Sequence, residues 1–265
     1  MAFGEIPPPH VSPWFTPVYE ATFHFGGLCW TLCYLLIARE GLRTKSYGMP
    51  MLALANNFAW EMVYALWVVD SPQEKTAMTI WMLIDMPIIY STVRHGALEW
   101  SHAPAVQRNL TAILLGLTLL FGAAHWSWQS WWISNGIGAR DGSGKADLTQ
   151  MAYWAVSMCQ LLVSTTSLAM LAVRQHTKGA GWSIWLLRFL GTLVGLNFNY
   201  GWAWYTWPEA HGYFMSAPAI FIWGVTTLCD VLYAIAFYRV RSAETAVSPP
   251  RGSNLSKGRS VKKKL

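Results

Sequence analysis

The sequence predicts an all-α, polytopic membrane protein, a bundle of seven transmembrane helices, on three observations. Of its 265 residues 54% are hydrophobic and 12% charged, against about a quarter charged in an average soluble domain. Its mean hydropathy is +0.28. Apolar runs of roughly 20 residues, the length that crosses a bilayer, recur at 21–38, 50–69, 76–93, 110–132, 151–173, 182–204 and 216–238. Residues 1–20 then form an N-terminal segment, 21–240 the membrane domain and 241–265 a tail, with little left for a separate soluble domain.

The opening "MAFGEIPPPHVSPWFTPVYE" has no Lys or Arg and four prolines in its first thirteen residues. It lacks the basic n-region and apolar h-region of a cleavable signal, so the first span is expected to stay. Orientation follows from Lys and Arg, which cytosolic loops retain. The loops after spans one, three and five and the C-terminal tail hold 15, the opposite side holds 3, and Arg188 falls inside span six. This predicts a lumenal N-terminus and a cytosolic C-terminus.

The net charge of +6 lies mostly in the tail "RVRSAETAVSPPRGSNLSKGRSVKKKL", which is polar and reads as disordered. Nucleic acid is therefore not an expected partner; membrane lipid is. The final "KKKL" resembles a dilysine retrieval signal, which implies the endoplasmic reticulum, although a merely lipid-attracting basic tail reads the same way. Cys29, Cys33, Cys159 and Cys229 all fall inside spans without CxxC spacing. They read as small buried apolar residues, neither disulfides nor metal ligands.

Of 13 acidic residues, Glu61, Asp85 and Asp230 alone lie well inside spans. Counted from the cytosolic ends, Glu61 is about 16 Å deep and the two aspartates about 12 Å, at 1.5 Å per residue, which puts all three in one layer. Residues three, four and seven apart share a helical face. Asn57, Glu61 and Tyr64 form one such set, with Trp60 beside them. Trp81, Asp85, Ile88 and Thr92 form another, and Trp223, Thr226, Asp230, Tyr233 and Phe237 a third. Pro87, two residues after Asp85, is expected to kink span three. Isolated carboxyls of this kind can simply bond helix to helix. Three at one depth instead suggest a shared cavity, since ionisable groups in a bilayer are costly and mark function.

A carboxyl group enclosed by apolar side chains resists ionising, and two close together cannot both ionise cheaply. One can then act as a Brønsted acid, while aromatic faces stabilise a cation formed between them. The chain has 17 Trp, 11 Tyr and 11 Phe, densest in "HWSWQSWW" and "NFNYGWAWYTW" at predicted lumenal span ends. Those stretches read mainly as interfacial belts, with Tyr200 or Trp202 as candidates to turn inward.

"NNFAWE" in the second span, with a second acid in "TLCDVLYA" in the last, resembles the membrane-bound terpene cyclases of fungal meroterpenoid and indole-diterpene pathways, the pyripyropene and paxilline type. The resemblance implies a small heptahelical enzyme that needs no metal and no cofactor. It implies cyclisation of a farnesyl or geranylgeranyl chain on an aromatic or polyketide head, usually after an upstream prenyltransferase and epoxidase have acted. It implies Glu61, after Trp60, and Asp230 as the paired essential acids, either one initiating, with Asn57 available to orient Glu61. Asp85 is a further acid, catalytic or structural. Cavity residues expected around them are Trp60, Tyr64, Trp81, Trp223, Thr226 and Tyr233.

Other readings compete. No two acidic residues are adjacent, which excludes the DDxxD and DxDD motifs of soluble terpene synthases. No lysine lies inside a span, so a retinal Schiff base is unavailable. A receptor has no evident use for three acids in one layer. A proton-coupled transporter is the alternative from another class, since carboxyls at this depth also relay protons, but the chain shows no internal repeat of the kind such folds carry. "HGALEWSH" places His95, Glu99 and His102 at helical spacing suited to a metal, against a plain hydrated loop.

Overall fold

The computed structural model describes residues 7–69, 71–140 and 144–247, and among these the chain is helical without a strand. The predicted "KKKL" signal, most of the tail and the first residues of the N-terminal segment lie outside the described residues. Five helices are long and apolar enough to cross a membrane. They are α1 (Phe15–Thr44), α3 (Pro72–His95, extended by a 3-10 turn at Gly96–Trp100), α4 (Pro104–Ser134), α5 (Leu148–Arg174) and α9 (Ala217–Val247).

The other two apolar runs are compound. Helix α2 (Met51–Val63) continues into a π-helical turn at Tyr64–Val68. Helix α6 (Trp182–Thr192) passes through a π-helical turn at Leu193–Phe198 into α7 (Asn199–Thr206), followed by the short α8 (Pro208–His211). Such wide turns concentrate at functional sites, and here Tyr64, Gly195 and Leu196 of the two turns line one cavity.

The surface pattern is that of a protein solvated by lipid. Leu28, Leu35, Leu83, Leu115, Leu119, Leu120, Phe221 and Leu228 face outward, while Glu61, Asp85, Asn199 and Asp230 are buried. Helix α1 packs against α3 and α6, α2 against α4, and α5 against α9. The α1–α6 crossing depends on glycine: a Cβ on Gly26 would run into the Cα of Gly195 in the turn that follows α6. That approach brings the backbones together as small residues do in membrane helix pairs.

Local chemistry sets several ends. Asp147 caps α5, accepting from Gln150 N at 2.9 Å, and pairs with Arg140 at 2.8 Å. Helix α9 runs through 241–247, into the segment predicted as tail, where Glu244 accepts from the Thr177 backbone N–H and Arg241 reaches the Thr177 hydroxyl. Helix α1 likewise begins at Phe15, inside the predicted N-terminal segment. Pro87 lies within α3, which continues through it. All four cysteines are free; three are buried and Cys229 half-buried.

Candidate active site

Glu61 is fully buried on α2, one turn after Asn57. The Asn57 side-chain nitrogen donates to Glu61 Oε1 at 2.8 Å and to the Tyr34 hydroxyl of α1 at 2.7 Å, and lies 3.4 Å from Asp85 Oδ2 of α3. An amide nitrogen has two hydrogens, so the long third contact cannot be a full hydrogen bond while the first two are made. Glu61 Oε2 and Asp85 Oδ1 are buried without a donor. The two carboxyls meet at the same Asn57 nitrogen, and two buried carboxyls that close together cannot both ionise cheaply. Three helices thus converge on an acid pair held by an amide.

Beside this pair is a cavity enclosing about 900 Å³ of empty space, mouth included, between α1, α2, α3, α5 and the α6–α7 segment. Asn57, Trp60, Tyr64 and Trp81 line it, as do Tyr34, Trp30, Tyr200, Cys159 and Gln160. Three features match its apolar, aromatic character. Trp81 Nε1 is bound by Thr31 Oγ1 at 2.9 Å, which fixes its ring. Trp60 and Tyr64 lie 5.3 Å apart between ring centres. Gly191 and Gly195 line it with backbone alone and let α1 pack close, Gly191 against the Trp30 ring and Gly195 against Gly26. Of the two aromatic candidates at the far end, Tyr200 lines the cavity and packs on Tyr153 at 4.8 Å, while Trp202 turns to the Phe15 carbonyl.

Asp230 does not meet Glu61. It is buried on α9 and paired with Arg188 of α6, Nη2 to Oδ1, at 2.9 Å. Tyr233 covers the guanidinium at 4.7 Å, and Trp185 Nε1 donates to the Asp230 carbonyl at 2.9 Å. Helix α1 separates the two acidic sites: Tyr34 faces Asn57, while the neighbouring Cys33 donates to Ile184 O and lies beside the Arg188–Asp230 pair. Trp223, Thr226 and Tyr233, on α9 with Asp230, do not line the cavity, although Trp223 packs in the aromatic cluster of Tyr200 and Tyr153 at its end. The reason is rotational: equal depth puts three acids in one layer, but does not say which way each helix turns.

The sequence reading missed Tyr34 and Gln160 as cavity residues and left Arg188 without a partner. A lone intramembrane arginine was a readable signal, because a buried guanidinium needs a carboxylate. The "HGALEWSH" group does not form a metal centre: Glu99 accepts from Ser46 at 2.6 Å and pairs with His176 at 2.7 Å, and His102 packs on Trp100. Among the described residues no three His, Cys, Asp or Glu side chains are grouped to hold a metal ion.

A family model described as Pyr4-like transmembrane terpene cyclases matches residues 5–243. The chain belongs to that family. Terpene cyclase ascF of Acremonium egyptiacum is 72% identical over 251 residues, covering 95% of this chain and 92% of the relative. Terpene cyclase andB of Emericella variicolor is 32% identical over 231 residues, covering 83% and 87%. Terpene cyclase paxB of Penicillium paxilli is 31% identical over 232 residues, covering 86% and 89%. No solved structure matches the chain. This terpene cyclase is thus an integral, multi-pass membrane enzyme, as the resemblance in "NNFAWE" and "TLCDVLYA" implies. The transporter and receptor readings give way to it.

Proposed function

We propose that the cyclase protonates the terminal epoxide or olefin of a farnesyl or geranylgeranyl chain carried on an aromatic or polyketide head, and directs a cationic polyene cyclisation in meroterpenoid metabolism. The observation that carries this reading is the Asn57 amide, which lines an aromatic cavity and holds Glu61 beside Asp85 directly behind that lining. One proton shared by two carboxyls leaves a neutral acid ready to donate. Glu61 gives its proton to the epoxide oxygen, the carbon–oxygen bond opens toward the more substituted carbon, and the next double bond attacks the cation. Successive double bonds repeat the step between the faces of Trp60, Trp81 and Tyr64. Loss of a proton, or capture by a hydroxyl with loss of its proton, ends the sequence and balances the proton given, so the product is an isomer of the substrate. Asp85 takes up the proton released at termination and passes it back to Glu61. Asp230, neutralised by Arg188, serves the cavity from behind its wall.

The reaction calls for no metal, in keeping with a sequence that has no DDxxD motif. The reading includes seven crossings, with the compound α2 and α6–α7 segments as the second and sixth, a lumenal N-terminus, a cytosolic tail and residence in the endoplasmic reticulum. A prenyltransferase and an epoxidase act upstream. To test it, the full chain is expressed in a host supplying farnesyl and geranylgeranyl aromatic precursors, with and without a terminal epoxide. Cyclised isomers of unchanged mass are expected. Recovery of every precursor uncyclised would overturn the proposal.

A further inference from the structure

Gln160 of α5 lines the cavity, yet its amide nitrogen is turned away from it, donating to Ser164 Oγ at 3.1 Å. Ser164 is fully buried, and its hydroxyl oxygen accepts that bond. With the Gln160 nitrogen engaged by Ser164, Gln160 Oε1 is left for the cavity.

The polar atoms that Trp60 and Tyr64 bring to the same cavity are, in contrast, donors or hydroxyls: Trp60 Nε1 and the Tyr64 hydroxyl are both buried there without a partner. An acceptor aimed into an apolar cavity is costly unless something donates to it. We propose that Gln160 Oε1 accepts a hydrogen bond from a hydroxyl on the substrate's head group, and that Ser164 is the positioning residue that holds this acceptor in place. The inference rests on the cyclase reading above and deepens it: it names a phenolic or enolic hydroxyl as the recognised feature.

The test uses two probes, a farnesylated phenol with a terminal epoxide and the methyl ether of the same compound, with full-length protein in membranes at matched amounts. Wild-type protein is expected to favour the free phenol over the ether by about tenfold in KM, the worth of one neutral hydrogen bond. Gln160→Met, which keeps the volume, and Ser164→Ala, which releases the amide, are each expected to erase that preference. A merely structural role would lower kcat for both probes and leave their KM ratio as it was. Variants that keep the wild-type preference overturn the inference, as does a wild-type enzyme that cyclises both probes with equal KM. A wild-type enzyme that cyclises neither probe overturns the substrate reading, and the inference with it.

Discussion

Arg188 Nη2 lies 2.9 Å from Asp230 Oδ1, with both side chains buried between α6 and α9. Removing one partner of such a pair leaves an uncompensated charge, which costs about 3–5 kcal/mol. Arg188→Leu should therefore deplete folded protein, seen as a lowered midpoint of thermal unfolding in detergent. Combining Arg188→Met with Asp230→Leu should recover most of the loss, because replacing a whole buried pair by apolar groups is often nearly neutral.

Gly26 and Gly195 set the α1–α6 crossing that shapes one wall of the cavity. Gly26→Ala places a methyl group against backbone rather than against a movable side chain, so the helices must part. Overpacking of this kind costs about 1–3 kcal/mol, and the upper end is expected here. Gly116→Ala, where no atom lies within 4 Å of the added Cβ, is the matched control and should leave the unfolding midpoint unchanged or raise it slightly, since alanine favours the helix over glycine.

His211, outside the long helices, is fully buried against Phe15 and Trp207, with Nδ1 3.0 Å from the Tyr213 hydroxyl. Burial, and then the nearby Arg140 charge, pushes its imidazole from the usual 6.5 down to about 3. The unfolded chain thus binds a proton below pH 6.5 that the folded chain refuses. Stability should fall by up to about 1.4 kcal/mol per pH unit as pH drops from about 6.5 toward 3. His211→Gln should flatten the dependence of the unfolding midpoint on pH across that window.

The helical class, the membrane setting and the acid on α2 were legible in the sequence because each rests on a one-dimensional property: apolar run length, charge scarcity, or a carboxylate inside an apolar run. The partners were not. Depth along a helix follows from residue number, but its rotation depends on contacts such as the Gly26–Gly195 crossing and on the π-helical turns at Tyr64–Val68 and Leu193–Phe198, which shift the faces that follow them. Asp85 therefore took the place beside Glu61 that the family pattern suggested for Asp230.

Asn57 binds Glu61 and Tyr34 at once and adjoins Asp85. Asn57→Leu should leave both carboxyls without their shared donor and lower kcat by about 10–100-fold, with KM little changed, since substrate contact is not its main role. Asp85→Asn should slow turnover, because no second carboxyl would return a proton to Glu61. Both are read from steady-state rates of isomer formation.

The most direct measurement compares turnover by Glu61→Gln with that of wild type, at equal amounts of folded protein, on an epoxide-bearing prenylated aromatic substrate. Glutamine keeps the shape and the Asn57 contact but has no acidic proton. Loss of a positioned general acid is worth about 10²–10⁴ in rate, and a loss of that size with substrate still bound is the expected result. Turnover by Glu61→Gln within a factor of a few of wild type would contradict proton donation by Glu61.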